Sequence, residues 1–260
     1  MTLLLSLVFG LAVGLLLGAL GGAGGVLAVP VLVYALHVDA HAAITASLII
    51  VGSAALVAAL RHSRDGTVRW LHGLAFGVLG AAGSWFGTRW SEHLDAHVLL
   101  LGFAALMLVT AAAMARRVFA GPHKPSASDR AQSRTAAAGK LVVAASVVGV
   151  LSGFFGVGGG FVVVPALVLV FGFAMEMAIG TSLLVIAINS AFSLLSRLQE
   201  LPDLPRLVVT AFALAAIAGS LLGARIAAHV SGRWLAQGFI VLLVVLALYV
   251  GGRSALALWG

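Results

Sequence analysis

The sequence predicts an all-α, polytopic membrane protein made of two homologous repeats. Of its 260 residues, 62% are hydrophobic and only 9% are charged, whereas about a quarter of a typical soluble domain is charged. The charged residues are concentrated in a few short stretches, and the neutral runs between them are long enough for helices that cross a bilayer. In addition, Gly, Pro and Arg recur in register between the two parts of the chain.

Ten apolar stretches follow one another, and each predicts one membrane segment. They are residues 2–20, 22–36, 42–60, 70–90, 96–115, 141–155, 159–173, 177–196, 206–228 and 234–251. A basic segment rich in Ala, Ser and Pro separates the fifth stretch from the sixth and predicts a solvated linker. We therefore expect a transmembrane repeat at 1–115, a linker at 116–140 and a second transmembrane repeat at 141–260. About 8 to 10 segments fit a chain of this length, and the Gly-rich ones are expected to be broken or short.

The two flanks of the linker match each other position by position, as expected of an internal duplication. A shift of 135 residues places Gly21, Gly24, Gly25 and Pro30 on Gly156, Gly159, Gly160 and Pro165. After one inserted residue the shift becomes 136, and it places Gly83, Gly87 and Arg89 on Gly219, Gly223 and Arg225. Chance similarity between apolar helices preserves Leu and Val but does not keep Gly, Pro and Arg in step.

The glycine-rich segments carry a resemblance to a known family. Residues 18–25 read GALGGAGG and residues 153–160 read GFFGVGGG, each is followed five residues later by Pro, and Ala-Ser or Thr-Ser opens the next helix. This pair is similar to the signature of the TauE/SafE sulfite-exporter family, although Ala23 stands where the second copy has Gly158. The resemblance covers the whole chain except the linker. It implies a secondary transporter of about eight spans for sulfite, sulfonates or other small organic anions.

The glycine-rich segments are also the candidate substrate site. A glycine run inside the membrane is expected to break the helix, and the free N–H groups and helix dipole at the break suit an anion. Close packing of helices through small residues is the alternative explanation. The candidate backbone ligands are Gly21, Gly22, Gly24, Gly25, Gly156, Gly158, Gly159 and Gly160.

Four polar side chains complete the candidate site. Ser47, Thr181 and Ser182 lie near the beginning of the helix after each glycine run, where hydroxyls could donate to an oxyanion or simply cap the helix or bond to its backbone. Asn189, the sole Asn of the chain, could contact substrate or form an interhelical hydrogen bond. Glu176 is a candidate for proton coupling, because it is the one acid in the apolar region from 141 to 196.

Other classes of function find no support in the sequence. No set of nucleophile, base and orienting group, and no metal-ligand set, is visible in the spans, so we expect neither an enzyme nor a metal site. No cofactor is implied: the glycine run lacks the strand and βαβ unit of a dinucleotide fold, and a Walker lysine is missing. The expected partners are a small anionic substrate, the lipid bilayer and a coupling ion, either a proton or sodium. The formal charge of +7 reflects topology rather than nucleic-acid binding.

The basic linker orients the chain, because positively charged loops stay in the cytoplasm. We expect an integral protein of the bacterial inner membrane with a cytoplasmic linker. Two topologies remain open. Five crossings per half would make the halves inverted, whereas eight spans, with the first two segments of each half together crossing once, would make them parallel. A permease for organic carboxylates and a membrane scaffold that transports nothing are the alternative functions. The oligomeric state, the direction of transport, the coupling ion and the identity of the anion cannot be read from the sequence.

Overall fold

The computed structural model describes residues 2–91, 96–119, 134–154, 160–196 and 205–259, and every regular element in these ranges is helical. The predicted all-helical, polytopic fold class is confirmed. The elements are α1 Thr2–Leu20, α2 Gly22–Gly25, α3 Ala28–Pro30, a π-helix Val31–Ala35, α4 Ala40–Arg64, α5 Trp70–Ser91, α6 Ala96–Phe119, α7 Arg134–Phe154, α8 Gly160–Phe171, α9 Met175–Ser196, α10 Arg206–His229 and α11 Gly232–Trp259.

Six of these helices are long and apolar enough to cross a membrane: α1, α4, α6, α9, α10 and α11. Many of their large apolar side chains face outward, as expected for helices that contact lipid; Leu4 and Leu214 are 67% and 63% exposed. The buried interior is formed by Ala, Val, Leu and Phe from both halves of the chain. Composition and shape together describe an integral membrane protein.

One end of the helix bundle carries the two helix ends that flank the linker, and we call it the linker end. Arg117 at the end of α6 donates from Nη1 to the carbonyl oxygen of Leu169 over 3.3 Å. Lys140 near the start of α7 lies 5.9 Å from the ring centroid of Phe171. The ring of His72, at the start of α5, is 5.4 Å from the same phenyl ring. The last turn of α8 therefore lies at the linker end.

The start of α9 and the start of α11 lie at the same end. The backbone N–H of Arg69, in the turn between α4 and α5, donates to Thr181 Oγ1 on α9 over 3.1 Å. The carboxylate of Glu176 lies against Gly232, the first residue of α11. Because α10 ends three residues before α11 begins, α10 also ends at the linker end. The opposite end of the bundle, where α4 begins, is called the far end.

The first two apolar segments form a helical hairpin that starts and finishes at the far end, hairpin 1 (residues 2–36). Helix α1 packs parallel to α10, since Gly10, Gly14 and Gly18 lie against the backbone of residues 212, 216 and 220 in that order. It therefore starts at the far end and runs toward the linker end. The chain then turns at Gly21, and the short returning elements lead into α4 at the far end.

The corresponding segments of the second half form hairpin 2 (residues 134–171), which starts and finishes at the linker end. Its returning helix α8 has 12 residues, or about 18 Å of helix, too short for a bilayer core of about 30 Å. Each half thus contributes one hairpin and three helices that run the length of the bundle. The hairpins enter from opposite ends, so the halves are inverted. This arrangement corresponds to the inverted alternative of five segments per half, in which the first two segments of each half form a hairpin and the glycine-rich segment is short or broken.

Packing between the halves is reciprocal. A Cβ built on Gly14 of α1 would overlap the backbone of Ala216 on α10, and one built on Gly149 of α7 would lie 2.6 Å from the carbonyl oxygen of Gly80 on α5. The shifts of 135 and 136 residues turn the first contact into the second. These glycines allow backbones to touch, as in other closely packed membrane helices. Each hairpin is thereby mounted on a helix of the other half.

Candidate functional site

The two hairpins meet backbone to backbone at Gly22 and Gly160. A Cβ built on Gly22 would overlap the carbonyl group of Gly160, and one built on Gly160 would lie 3.0 Å from the Cα of Gly22. The same Cβ on Gly160 would lie 2.7 Å from Cγ1 of Ile186 on α9. Only glycine permits this approach, and we call this point the hairpin crossing.

The turn of hairpin 1 lies beside the crossing and faces α9. Gly21 has φ 69° and ψ −134°, a left-handed conformation that favours glycine. A Cβ built there would lie 2.5 Å from Ser182 Oγ and 3.2 Å from Cγ2 of Val164 on α8. Ser182 is fully buried, and its hydroxyl donates to the carbonyl oxygen of Ile179 over 2.8 Å. A hydroxyl of the second half thus contacts the glycine turn of the first.

The remaining predicted glycines of hairpin 1 serve its internal packing. Gly24 lies against the backbone of Leu17 in α1, and its N–H donates to the carbonyl oxygen of Gly21 over 3.2 Å. Gly25 faces Val51 of α4, where an added Cβ would lie 3.1 Å from Cγ1. The N–H of Gly21 is also used, since it continues α1 by donating to the carbonyl oxygen of Leu17 over 2.8 Å.

Neither hairpin brings a charged side chain to the crossing. Residues 2–36 and 141–171 contain no Asp, Glu, Lys, Arg or His. From α9, the side chains of Ser182 and Ile186 and the backbone of Ile179 approach the glycines of the crossing. Any polar ligand held here would therefore contact hydroxyls, backbone groups and the start of α8. This is the type of surface expected where broken helices of a transporter meet.

Comparison with known proteins agrees with this architecture. The family described as sulfite exporter TauE/SafE matches residues 6–250, which include both hairpins and all the helices that run the length of the bundle. The chain belongs to the TauE/SafE sulfite-exporter family. The sequence resemblance is confirmed, and the chain is a membrane transporter.

The relatives of this transporter come from bacteria and archaea. A probable membrane transporter protein of Xylella fastidiosa (strain 9a5c) is 32% identical over 238 residues, 89% of this chain and 88% of the relative. Probable membrane transporter protein YunE of Bacillus subtilis is 25% identical and covers 96% of each chain. Probable membrane transporter protein MJ0441 of Methanocaldococcus jannaschii is 25% identical over 67% of this chain and 64% of its own. No solved structure matches the chain.

The other predicted polar residues have separate environments. Ser47 donates to the carbonyl oxygen of Ile44 over 2.7 Å, the local backbone bond that was the alternative to substrate contact. Thr181 accepts the N–H of Arg69 and so fixes the turn before α5. The Asn189 amide lies beside Gly80, and its buried Oδ1 has no hydrogen-bond partner. Gly156, Gly158 and Gly159 lie outside the described residues.

The predicted acidic candidate lies away from the crossing. Glu176 is half-buried at the linker end, with Oε1 directed at Gly232. The carboxylate lies in the first turn of α9, where the helix dipole stabilises a negative charge. This dipole and the contact with Gly232 of α11 explain the position of Glu176. The structure does not bring Glu176 together with Gly21, Gly22 or Gly160.

Sequence reasoning missed a buried histidine near the turn of hairpin 1. His62 is 4% exposed, and its Nε2 lies 3.2 Å from the carbonyl oxygen of Gly18. The sequence places it between Arg61 and Arg64, which reads as a solvated basic loop. The helical periodicity of α4 could have indicated that His62 is buried. The helix continues through Arg64, and His62 lies on the buried face of the last turn of α4.

Proposed function

We propose that this transporter carries a small anion, such as sulfite or an organosulfonate, through a substrate site at the hairpin crossing. The observation that supports it is the meeting, at Gly22 and Gly160, of two inverted hairpins that bring no charged side chain to this point. Inverted repeats with broken helices commonly bind their substrate where the repeats meet. A membrane scaffold would need no such break, and continuous helices would have been expected of one.

The anion is held by groups that carry no full charge. Helix α8 begins at Gly160 inside the bundle, and the first N–H groups of a helix have no partner within it. These N–H groups and the helix dipole attract an anion without an Arg or Lys in the membrane. The Ser182 hydroxyl supplies one rotatable donor beside Gly21. Weak, distributed contacts of this kind also allow the anion to leave.

Alternating access arises from movement of one hairpin unit against the other. Hairpin 1 is fixed to α10 and hairpin 2 to α5 through glycine contacts that bring their backbones together. The units touch at the crossing through the glycine backbones of Gly22 and Gly160. We interpret the reciprocal contacts as the product of an internal duplication, so that the two units rock about the crossing and expose it to each end in turn.

Transport is driven by an ion or substrate gradient, because the sequence has no nucleotide-binding element. The coupling ion is a proton or sodium. The transporter lies in the bacterial inner membrane with the linker in the cytoplasm, because the linker holds the largest group of basic residues. No nucleic acid, metal or organic cofactor takes part.

The proposal is tested with purified full-length protein in liposomes. Uptake of sulfite, thiosulfate, methanesulfonate, acetate and lactate is measured against empty liposomes, without ATP. Sulfur oxyanions are expected to move down their gradients and to compete with one another. Ser182→Ala should weaken competition while leaving the folded yield unchanged. Absence of flux for every anion, or a strict ATP requirement, would overturn the proposal, and flux of carboxylates alone would replace the substrate class.

A further inference from the structure

His62 occupies a buried polar pocket near the turn of hairpin 1. Its Nε2 lies 3.2 Å from the carbonyl oxygen of Gly18 on α1. Its Nδ1 lies 3.3 Å from Thr67 Oγ1 in the turn after α4. The hydroxyl of Thr67 in turn donates to the carbonyl oxygen of His62 itself over 2.9 Å. Both ring nitrogens therefore have an oxygen atom as partner.

Each contact of the His62 ring requires a hydrogen atom on one of the two bonded atoms. A carbonyl oxygen only accepts, so Nε2 must carry hydrogen to bond with Gly18. Where the hydroxyl proton of Thr67 points to the His62 carbonyl, Nδ1 faces an oxygen lone pair and bonds to it only as N–H. All three contacts are satisfied together when the ring is the doubly protonated imidazolium. In the neutral ring, Thr67 must give up its bond to the backbone and donate to Nδ1 instead.

The pocket connects α4 with hairpin 1 and with α9. Gly180 of α9 packs against this pocket, where an added Cβ would lie 3.0 Å from Thr67 Oγ1 and 3.2 Å from His62 Cβ. The next residue, Thr181, accepts the N–H of Arg69. Ser182 then contacts the turn of hairpin 1 at Gly21. The proton state of His62 is thus linked by direct contacts to both hairpin 1 and α9.

Few charged groups surround this ring. On its own element, Arg61 pairs with Asp65 over 2.7 Å, and the two charges have opposite effects on His62. The described residues of α1 carry no titratable side chain, and that of Glu176 on α9 lies against Gly232. The other charged or titratable residues of the end of α4, the adjoining turn and α10 are exposed: Arg64, Arg69, Arg206, Arg225 and His229.

We propose that His62 is a proton-binding site that couples anion transport to a proton gradient. The inference rests on the proposed transport function and adds the coupling ion and its residue. With the ring protonated, bonds from His62 to Gly18 and Thr67 hold hairpin 1 against the end of α4 and close the linker end. When this end opens, Nδ1–H transfers its proton to water on the linker side, and the ring takes up a proton again when the crossing is open to the far end.

Two kinds of transport measurement separate proton coupling by His62 from transport of the anion. Full-length protein in liposomes is assayed for accumulation of methanesulfonate, whose charge does not titrate near neutral pH, under an imposed pH gradient. Exchange of methanesulfonate at equal pH is measured in parallel. For coupling of one proton to one anion, wild-type accumulation should change by about tenfold for each unit of pH gradient. His62→Gln keeps a donor toward Gly18 but cannot titrate, so it should retain exchange and lose this accumulation.

A matched control and a second variant distinguish loss of proton coupling from misfolding. His72→Gln alters another histidine at the linker end, one that contacts Phe171 and Phe173, and should accumulate methanesulfonate as wild type does. Thr67→Val removes the oxygen that faces Nδ1. It should shift the pH midpoint of exchange downward by about one to two pH units, because a hydrogen bond to a charged donor is lost.

The results of these assays separate the role of His62 from the proposed transport function. Accumulation by His62→Gln at the wild-type level, an unchanged midpoint in Thr67→Val, or wild-type exchange that ignores a pH gradient would each overturn the role of His62. Loss of exchange in His62→Gln would count against the role only if the protein remains folded in detergent, and the Thr67→Val midpoint then decides. Absence of any exchange in wild type would instead refute the proposed function.

Discussion

The glycine at the hairpin crossing offers the sharpest test, since packing and substrate contact give different outcomes. In Gly160→Ala the new methyl would lie 2.7 and 2.8 Å from Cγ1 and Cδ1 of Ile186 and 3.0 Å from the Cα of Gly22. Ile186 is 4% exposed, so its side chain has little room to move. Overpacking of this kind costs about 1–3 kcal/mol, and we expect the melting temperature in detergent to fall accordingly.

A double variant then separates the two causes. Ile186→Ala removes both side-chain atoms that the new methyl meets, so Gly160→Ala with Ile186→Ala should be more stable than the sum of the single changes, by about 1–3 kcal/mol. The contact with Gly22 remains, and the two hairpin backbones are still held apart. Gly160→Ala in the Ile186→Ala background should therefore cost little further stability, while methanesulfonate flux in liposomes falls well below that of Ile186→Ala alone.

Gly238→Ala is the matched control. Its nearest neighbour would be Leu20 Cδ2 at 3.6 Å, an ordinary contact, and a helical Gly→Ala change stabilises by up to about 1 kcal/mol. Wild-type flux is expected. If Gly160→Ala in the Ile186→Ala background left flux unchanged, Gly160 would only pack helices, and the crossing would not be the substrate site.

Three further predictions follow from the fold. Gly14→Ala and Gly149→Ala should both reduce folded yield, because each methyl would push apart one of the two reciprocal helix pairs; a loss at only one of them would contradict the inverted packing. Arg117→Gln should lower stability by about 1–2 kcal/mol in thermal unfolding, because the charged bond to the Leu169 carbonyl at the end of α8 is weakened. A cysteine at Ser128 should resist impermeant maleimide in intact cells, and labelling from outside would reverse the orientation.

Local sequence determined the helices and the family of this transporter. The spacing of charged residues separates the apolar segments, because charges are costly within a bilayer and collect at its surfaces. Helix limits follow these segments closely: the stretch 206–228 is α10, Arg206–His229. The glycine runs were also sufficient to place the break in hairpin 1, since a left-handed turn at Gly21 needs glycine.

Only the tertiary structure decided the path of the chain and the contacts of each polar side chain. Hydropathy shows that a segment is apolar, but it does not show at which end of the bundle the segment finishes. A hairpin and a segment that spans the membrane therefore look alike in sequence. Likewise, Thr181 and Ser182 are neighbours in sequence, yet one holds the turn at Arg69 and the other faces Gly21. His62 lies between Arg61 and Arg64 in the sequence, yet it is buried against α1 and α9, because burial and hydrogen bonding depend on segments distant in sequence.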